Sequence, residues 1–259
     1  MISEFFNLEQ KLSAQLERLK SLGLCAVKGE FEAEGASFRD LLRLRRFTAE
    51  QGISLYLKVG GVEALRDLKD ALDLGVDGVI APMVESPFGV VKFNEAVESI
   101  FGGRRLFKSI NIETREAVER IDDILEVARG KVDNVTIGRT DLSRSYFDSV
   151  IQPDSTFIFD LIERLSYKVQ SAGLALTVGG SLTLESIRVF AERKKRLGGR
   201  VSSMETRKIV FSTDRMLEQE AVLKESLRFE EIYLRFKLEC EAWLSRADQE
   251  RLTKLKSRF

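Results

Sequence analysis

From residue 22 to about 211, short apolar or β-branched runs alternate with longer stretches whose apolar residues recur at three- and four-residue steps. The short runs at 24–31, 53–59, 77–83, 106–112, 132–138, 174–178 and 205–211 read as strands; stretches such as 37–50, 62–74 and 114–129 read as helices. Gly75, Gly130, Gly173 and the Gly198–Gly199 pair follow helical stretches, where a left-handed residue ends a helix. Ser37, Thr114 and Thr183 stand where a hydroxyl caps a first turn. Such alternation implies parallel strands joined by right-handed crossovers. Seven strands are legible, and an eighth is expected near the N-terminus, ahead of a helix over 8–21. An open doubly wound sheet would carry a G-x-G-x-x-G loop after its first strand, and none is present. The expected fold is α/β: a (β/α)8 TIM-type barrel with an extended C-terminal helical segment.

That segment begins near residue 213, where Gly and Pro disappear. Leu223, Leu227, Leu234 and Leu238 fall near one helical face, with Phe229, Phe236 and Trp243 close by. The chain therefore divides into a barrel, 1–212, and a helical extension, 213–259, that packs on the barrel or on a neighbouring subunit. A helix this long and apolar calls for more than one surface to cover it, which leaves both placements open.

Composition narrows the function. A chain of 259 residues, 44% hydrophobic, matches one barrel of about 250 residues. Lys+Arg and Asp+Glu both number 41, so no net field draws the chain to nucleic acid or anionic lipid, and neither is an expected partner. No apolar run approaches the roughly 18 residues that span a bilayer, and the N-terminus lacks the order of a signal peptide. Cys25 and Cys240 stand alone and far apart, which fits a reducing cytoplasm. Histidine is absent. Ser-His-Asp and Cys-His catalysis and His-ligated zinc are excluded. Acid–base chemistry must come from Asp, Glu, Lys, Tyr, Cys or a metal-bound water.

In a barrel the chemistry sits at the C-terminal ends of the strands. One strand ends in Asn111-Ile112-Glu113, and the next in Gly138-Arg139-Thr140-Asp141-Leu142-Ser143. Glu113 and Asp141 would meet at one rim, where two carboxylates repel unless protonated or bridged by a cation. Hard oxygen ligands suit Mg²⁺ or Mn²⁺. The rival reading makes Thr114 and Asp141 simple helix caps. Lys28, Glu30 and Glu32 share a strand face, either turned inward, with Lys58 pairing one glutamate, or turned outward to solvent. Inward, Glu30 or Glu32 is a candidate base; a Schiff-base role for Lys58 or Lys28 is a further option. The Gly-Gly pairs within 58–63 and 177–182 either let backbone N–H groups approach an anion or serve tight turns. Arg139 and Arg207 are candidate clamps for a small acidic substrate, or else ordinary ion-pair partners.

Residues 78–86 (GVIAPMVES), 110–117 (INIETREA) and 137–143 (IGRTDLS) resemble, in order and spacing, motifs of the HpcH/HpaI aldolase and citrate lyase superfamily. The resemblance covers about 50–180 and counts these segments from the family's fourth strand to its sixth. It implies that Glu113 and Asp141 hold the metal and that the backbone around Gly138–Asp141 holds the substrate carboxylate. It also implies a Lewis-acid metal stabilising a pyruvate-like enolate during C–C cleavage. A homo-oligomer, with the C-terminal helix packing on a neighbour, is a further implication of the resemblance. Two departures stand out. The aldolase branch's His has no counterpart in Lys28–Gly35, and Lys58 takes the place of an Arg that contacts the enolate oxygen. Lysine is a point charge without that bidentate fork. The expected function is a metal-dependent carbon–carbon lyase or aldolase acting on a 2-oxo or 2-hydroxy acid; the alternative is an inactive barrel serving as a binding or assembly module.

Overall fold

The computed structural model describes residues 2–259. In chain order the elements are α1 (Ile2–Ser21), β1 (Leu24–Glu30), α2 (Phe38–Glu50), β2 (Ser54–Lys58), α3 (Leu65–Leu74), β3 (Gly78–Ala81) and α4 (Pro87–Phe101). There follow β4 (Phe107–Ile112), α5 (Arg115–Glu119), α6 (Ile121–Ala128), β5 (Asn134–Gly138), α7 (Arg139–Arg144), α8 (Thr156–Ser171) and β6 (Ala175–Gly179). The chain ends with α9 (Leu184–Glu192), α10 (Lys194–Leu197), β7 (Ser203–Glu205), β8 (Ile209–Ser212), α11 (Thr213–Glu218) and α12 (Glu220–Lys256).

The eight strands close into a barrel in sequence order. All neighbours from β1 to β7 are parallel, but β8 runs antiparallel to both β7 and β1. This corrects two expectations. Among the described residues no strand precedes 24, because residues 2–21 are one helix, and the run 205–211 is not one strand but the end of β7, a turn and β8. Three residues cannot make a parallel crossover, which needs a dozen or more, so the last strand folds back as a hairpin. The motif strands are accordingly the third, fourth and fifth of this barrel.

The local signals act as their chemistry dictates. Ser37 caps α2 in a reciprocal box with Asp40, while Thr114 and Thr183 cap α5 and α9. Gly75 ends α3 in the left-handed region at φ 62°.

Strand alternation sorts side chains into two populations. Val27, Leu55, Leu57, Val79, Ile110, Val135, Ile137, Leu176 and Met204 point out to the helices and join one continuous apolar core. The opposite faces line the barrel's interior, which is mostly polar where barrels usually stack branched aliphatics. Asn134 Nδ2 donates to Ser109 Oγ at 2.8 Å and Thr136 Oγ1 at 3.1 Å, and Thr177 donates to Asn134 Oδ1 at 3.0 Å. Below them Tyr56 stacks on Phe107, centroids 4.5 Å apart, and plugs the floor.

The extension lies on the barrel rather than apart from it. α12 packs along α1, burying Val222, Phe229, Tyr233, Phe236 and Cys240. Leu223 is buried, whereas Leu227, Leu234 and Leu238 are exposed, so the four leucines do not share one environment. Among the described residues no helix is long and apolar enough to cross a membrane.

Candidate active site at the C-terminal mouth of the barrel

A cavity of about 410 Å³ opens at the C-terminal strand ends, within the size range of small-molecule sites. Its wall carries Lys28, Glu30, Lys58, Asn111, Glu113, Gly138, Asp141, Glu205 and Arg207, each within three residues of the C-terminal end of a strand. Lys28 and Glu30 are buried and line it, which settles the β1 face as inward.

Glu113 is the most enclosed acid, 2% exposed. Its Oε1 accepts the Met83 backbone N–H at 3.0 Å, and its Oε2 accepts Asn111 Nδ2 at 3.1 Å. Lys58 Nζ lies 3.6 Å from Oε1 and 3.0 Å from Glu32 Oε2. Burial pushes the Glu113 carboxyl above its ordinary range; Lys58, Met83 and Asn111 pull it back without cancelling the rise. Burial works to lower Lys58, but Glu113, then Glu32 and Glu30, outweigh it and hold the ammonium above its usual value. That environment opposes a free-amine, Schiff-base role for Lys58.

Gly138 is required by this arrangement. A Cβ there would stand 2.6 Å from Glu113 Oε2, so only glycine leaves the carboxylate its place. Asp141 lies in the first turn of α7, whose N-cap is Gly138 with no side-chain cap bond. Its carboxylate lines the cavity without capping anything. Asn111 Oδ1 is buried without a hydrogen-bond partner, a costly state that a ligand would relieve. No group of three or more His, Cys, Asp or Glu side chains clusters as a metal site among the described residues. The donor set is instead two carboxylates and one orphaned amide oxygen beside a cavity. Hard oxygens of this kind, with room for waters, fit Mg²⁺ or Mn²⁺.

Arg139 does not belong to this site. Its side chain is fully buried and sealed by protein partners: Asp154 Oδ1 at 2.6 Å and the carbonyls of Gly180 at 2.7 Å, Gly179 at 3.2 Å and Pro153 at 3.2 Å. It rivets the β5 end to the β6–α9 loop, leaving no donor for a substrate. Arg207 is half-exposed, lines the cavity and lies 3.5 Å from Glu30 Oε2. Glu32 stays outside the lining and serves as the second partner of Lys58. The first Gly-Gly pair, at 60–61, lies outside the cavity lining, and Gly60 N–H donates to Asp67; in the second pair, Gly180 lines the cavity.

Sequence reasoning missed Glu205, Arg144 and the contribution of α12, whose Leu227 and Glu230 reach the mouth. Glu205 was hidden because a single strand over 205–211 puts it at the barrel's bottom, whereas it ends β7. A three-residue polar turn, Thr206-Arg207-Lys208, was the available signal.

The pattern that defines the HpcH/HpaI aldolase/citrate lyase family matches residues 37–177. The chain belongs to that family. Among curated proteins none matches it in sequence. Solved HpcH/HpaI structures share its fold: an aldolase from Desulfitobacterium hafniense DCB-2 has 18% identity over 75% of this chain and 81% of that one, with TM-score 0.61. An HpcH/HpaI aldolase/citrate lyase family protein from Burkholderia cenocepacia J2315 has 17% identity over 95% and 90%, with TM-score 0.59. The citrate synthase SbnG has 19% identity over 80% and 85%, with TM-score 0.55. HpcH/HpaI proteins are aldolases and lyases, typically dependent on a divalent metal, and membership supports an activity of that type here.

Proposed function

We propose that this HpcH/HpaI barrel is a metal-dependent carbon–carbon lyase or aldolase acting on a small 2-oxo or 2-hydroxy acid through a pyruvate-like enolate. The observation that carries it is that Glu113, an uncapped Asp141 and Asn111, whose Oδ1 is buried without a partner, line one cavity. Glu113 and Asp141 would hold Mg²⁺ or Mn²⁺, which supplies Lewis-acid stabilisation of enolate charge. The Gly138 backbone is the reading's holder of the substrate carboxylate, and Arg207 draws the acidic substrate in. Lys58, fixed by two glutamates, places its ammonium toward developing negative charge. Glu30, buried in the wall, handles the proton on the substrate hydroxyl. Two unpaired cysteines support a reducing cytoplasm as the compartment.

Replacing Glu113 with alanine is expected to weaken Mn²⁺ or Mg²⁺ binding at least 10-fold by calorimetry. Oxalate, a pyruvate-enolate mimic, is expected to raise the melting temperature of the wild type only with Mg²⁺ present. Unchanged metal affinity in the variant removes the central assignment. Indifference to oxalate favours the assembly-module reading, for which the missing histidine and Lys58 speak.

The exposed ridge of Leu227, Leu234 and Leu238 supports a homo-oligomer. Light scattering should return a mass of at least two chains; a clean monomer refutes it.

A further inference from the structure

Two carboxylates at the mouth are seated in the same way. Glu113 lies over Gly138, and Glu205 lies over Gly179, where a Cβ would stand 2.7 Å from Glu205 Cγ and 3.0 Å from its Oε1. Gly138 and Gly179 are register partners on β5 and β6. The two carboxylates therefore sit at one level of the barrel. With neighbouring strands about 4.8 Å apart, they face each other across no more than about 10–11 Å. A three-carbon 2-oxo acid held beside Glu113 is short enough to lie within that span.

Glu205 is 7% exposed and Lys28 4% exposed, and both line the cavity. Lys28 Nζ donates to Glu205 Oε1, which fixes the carboxylate while Oε2 makes no hydrogen bond within the protein. A charge pair buried in a barrel mouth is costly to place there, and a hydrophobic pair of similar volume would often be no less stable. The other acids are less suited to reach a bound carbon. Glu32 is drawn to Lys58 outside the lining, and Glu230 stands on α12 at the rim, half-buried.

We propose that Glu205 is the catalytic residue that carries the proton at C3 of the 2-oxo acid, with Lys28 as its positioning residue. This rests on the lyase reading above. In the condensation direction Glu205 Oε2 takes a proton from C3: the C3–H bond breaks, an O–H bond forms, and the electron pair enters the enolate. C3 then bonds to the carbonyl carbon of the second substrate, whose oxygen takes a proton from Glu30. Glu205 returns its proton to water and Glu30 regains one, so no proton is consumed overall. Cleavage runs the same steps backwards.

The test uses the full chain with Mg²⁺ and pyruvate in D₂O, following loss of the methyl proton signal by NMR. Wild type should exchange these protons faster than the protein-free solution. Glu205→Gln, which keeps the shape over Gly179, should lower that rate about 100-fold or more. Lys28→Met should lower the rate while oxalate with Mg²⁺ still raises its melting temperature as in wild type, a separation that a merely structural pair would not show. Should Glu205→Gln fail to fold, the double variant Lys28→Met with Glu205→Gln removes both buried charges together and is read instead. Exchange at the wild-type rate in whichever of these two variants folds overturns the proposal and leaves the lyase reading standing. A wild type that neither exchanges nor responds to oxalate overturns both.

Discussion

Replacing Arg139 with methionine is expected to cost about 3–5 kcal/mol of folding stability, because it leaves the Asp154 carboxylate without its buried partner and strips three carbonyls of their donors. The aliphatic stem keeps most of the packing between Phe159 and Phe190, whose rings lie 5.8 and 5.5 Å from the guanidinium, so the loss is chiefly electrostatic. Urea unfolding should show the midpoint falling at an unchanged slope. The folded fraction should keep its affinity for oxalate with Mg²⁺. A substrate clamp would behave in the reverse manner, with stability retained and affinity lost.

Lys58→Met is expected to produce a second large effect, of about 3–5 kcal/mol at neutral pH, by leaving Glu113 buried without its cation. Glu113 is already raised by burial, and Lys58 is the strongest influence lowering it. Without Lys58 the folded carboxyl rises further. A raised carboxyl stabilises the fold when protonated, below the ordinary Glu range, and that contribution is lost as pH climbs through the folded value. The variant's deficit should therefore be small in mild acid and largest at pH 8. Mg²⁺ should restore part of it at pH 8, since a cation replaces the missing charge and binds only the folded state. Urea midpoints at pH 5 and pH 8, with and without Mg²⁺, check this; a pH-independent deficit would show that Lys58 acts through packing alone.

These two residues also show how far the sequence could be read. The strand–helix alternation is local, so six of the strand runs and the main helices were visible. The eighth strand depended on a hairpin whose turn, Thr206-Arg207-Lys208, is embedded in an otherwise strand-like run. Glu113 and Asp141 were legible because each follows its own strand directly, and neighbouring strands must meet. Arg139 lies in the same motif, yet its role is set by Asp154 and by the Gly179–Gly180 carbonyls, which come near only through the fold. Glu205 needed the hairpin to be recognised first. Leu227 and Glu230 needed the path of α12 across the mouth, which no periodicity specifies.

The polar lumen has a thermal consequence. Unfolding exposes the amide and hydroxyl groups of Ser109, Asn134, Thr136 and Thr177, and polar surface lowers the heat-capacity increment that apolar surface raises. A barrel whose inner wall is hydrogen-bonded rather than oily has a flatter curve of stability against temperature. Its resistance to cooling and to warming is governed mainly by the single apolar shell between strands and helices.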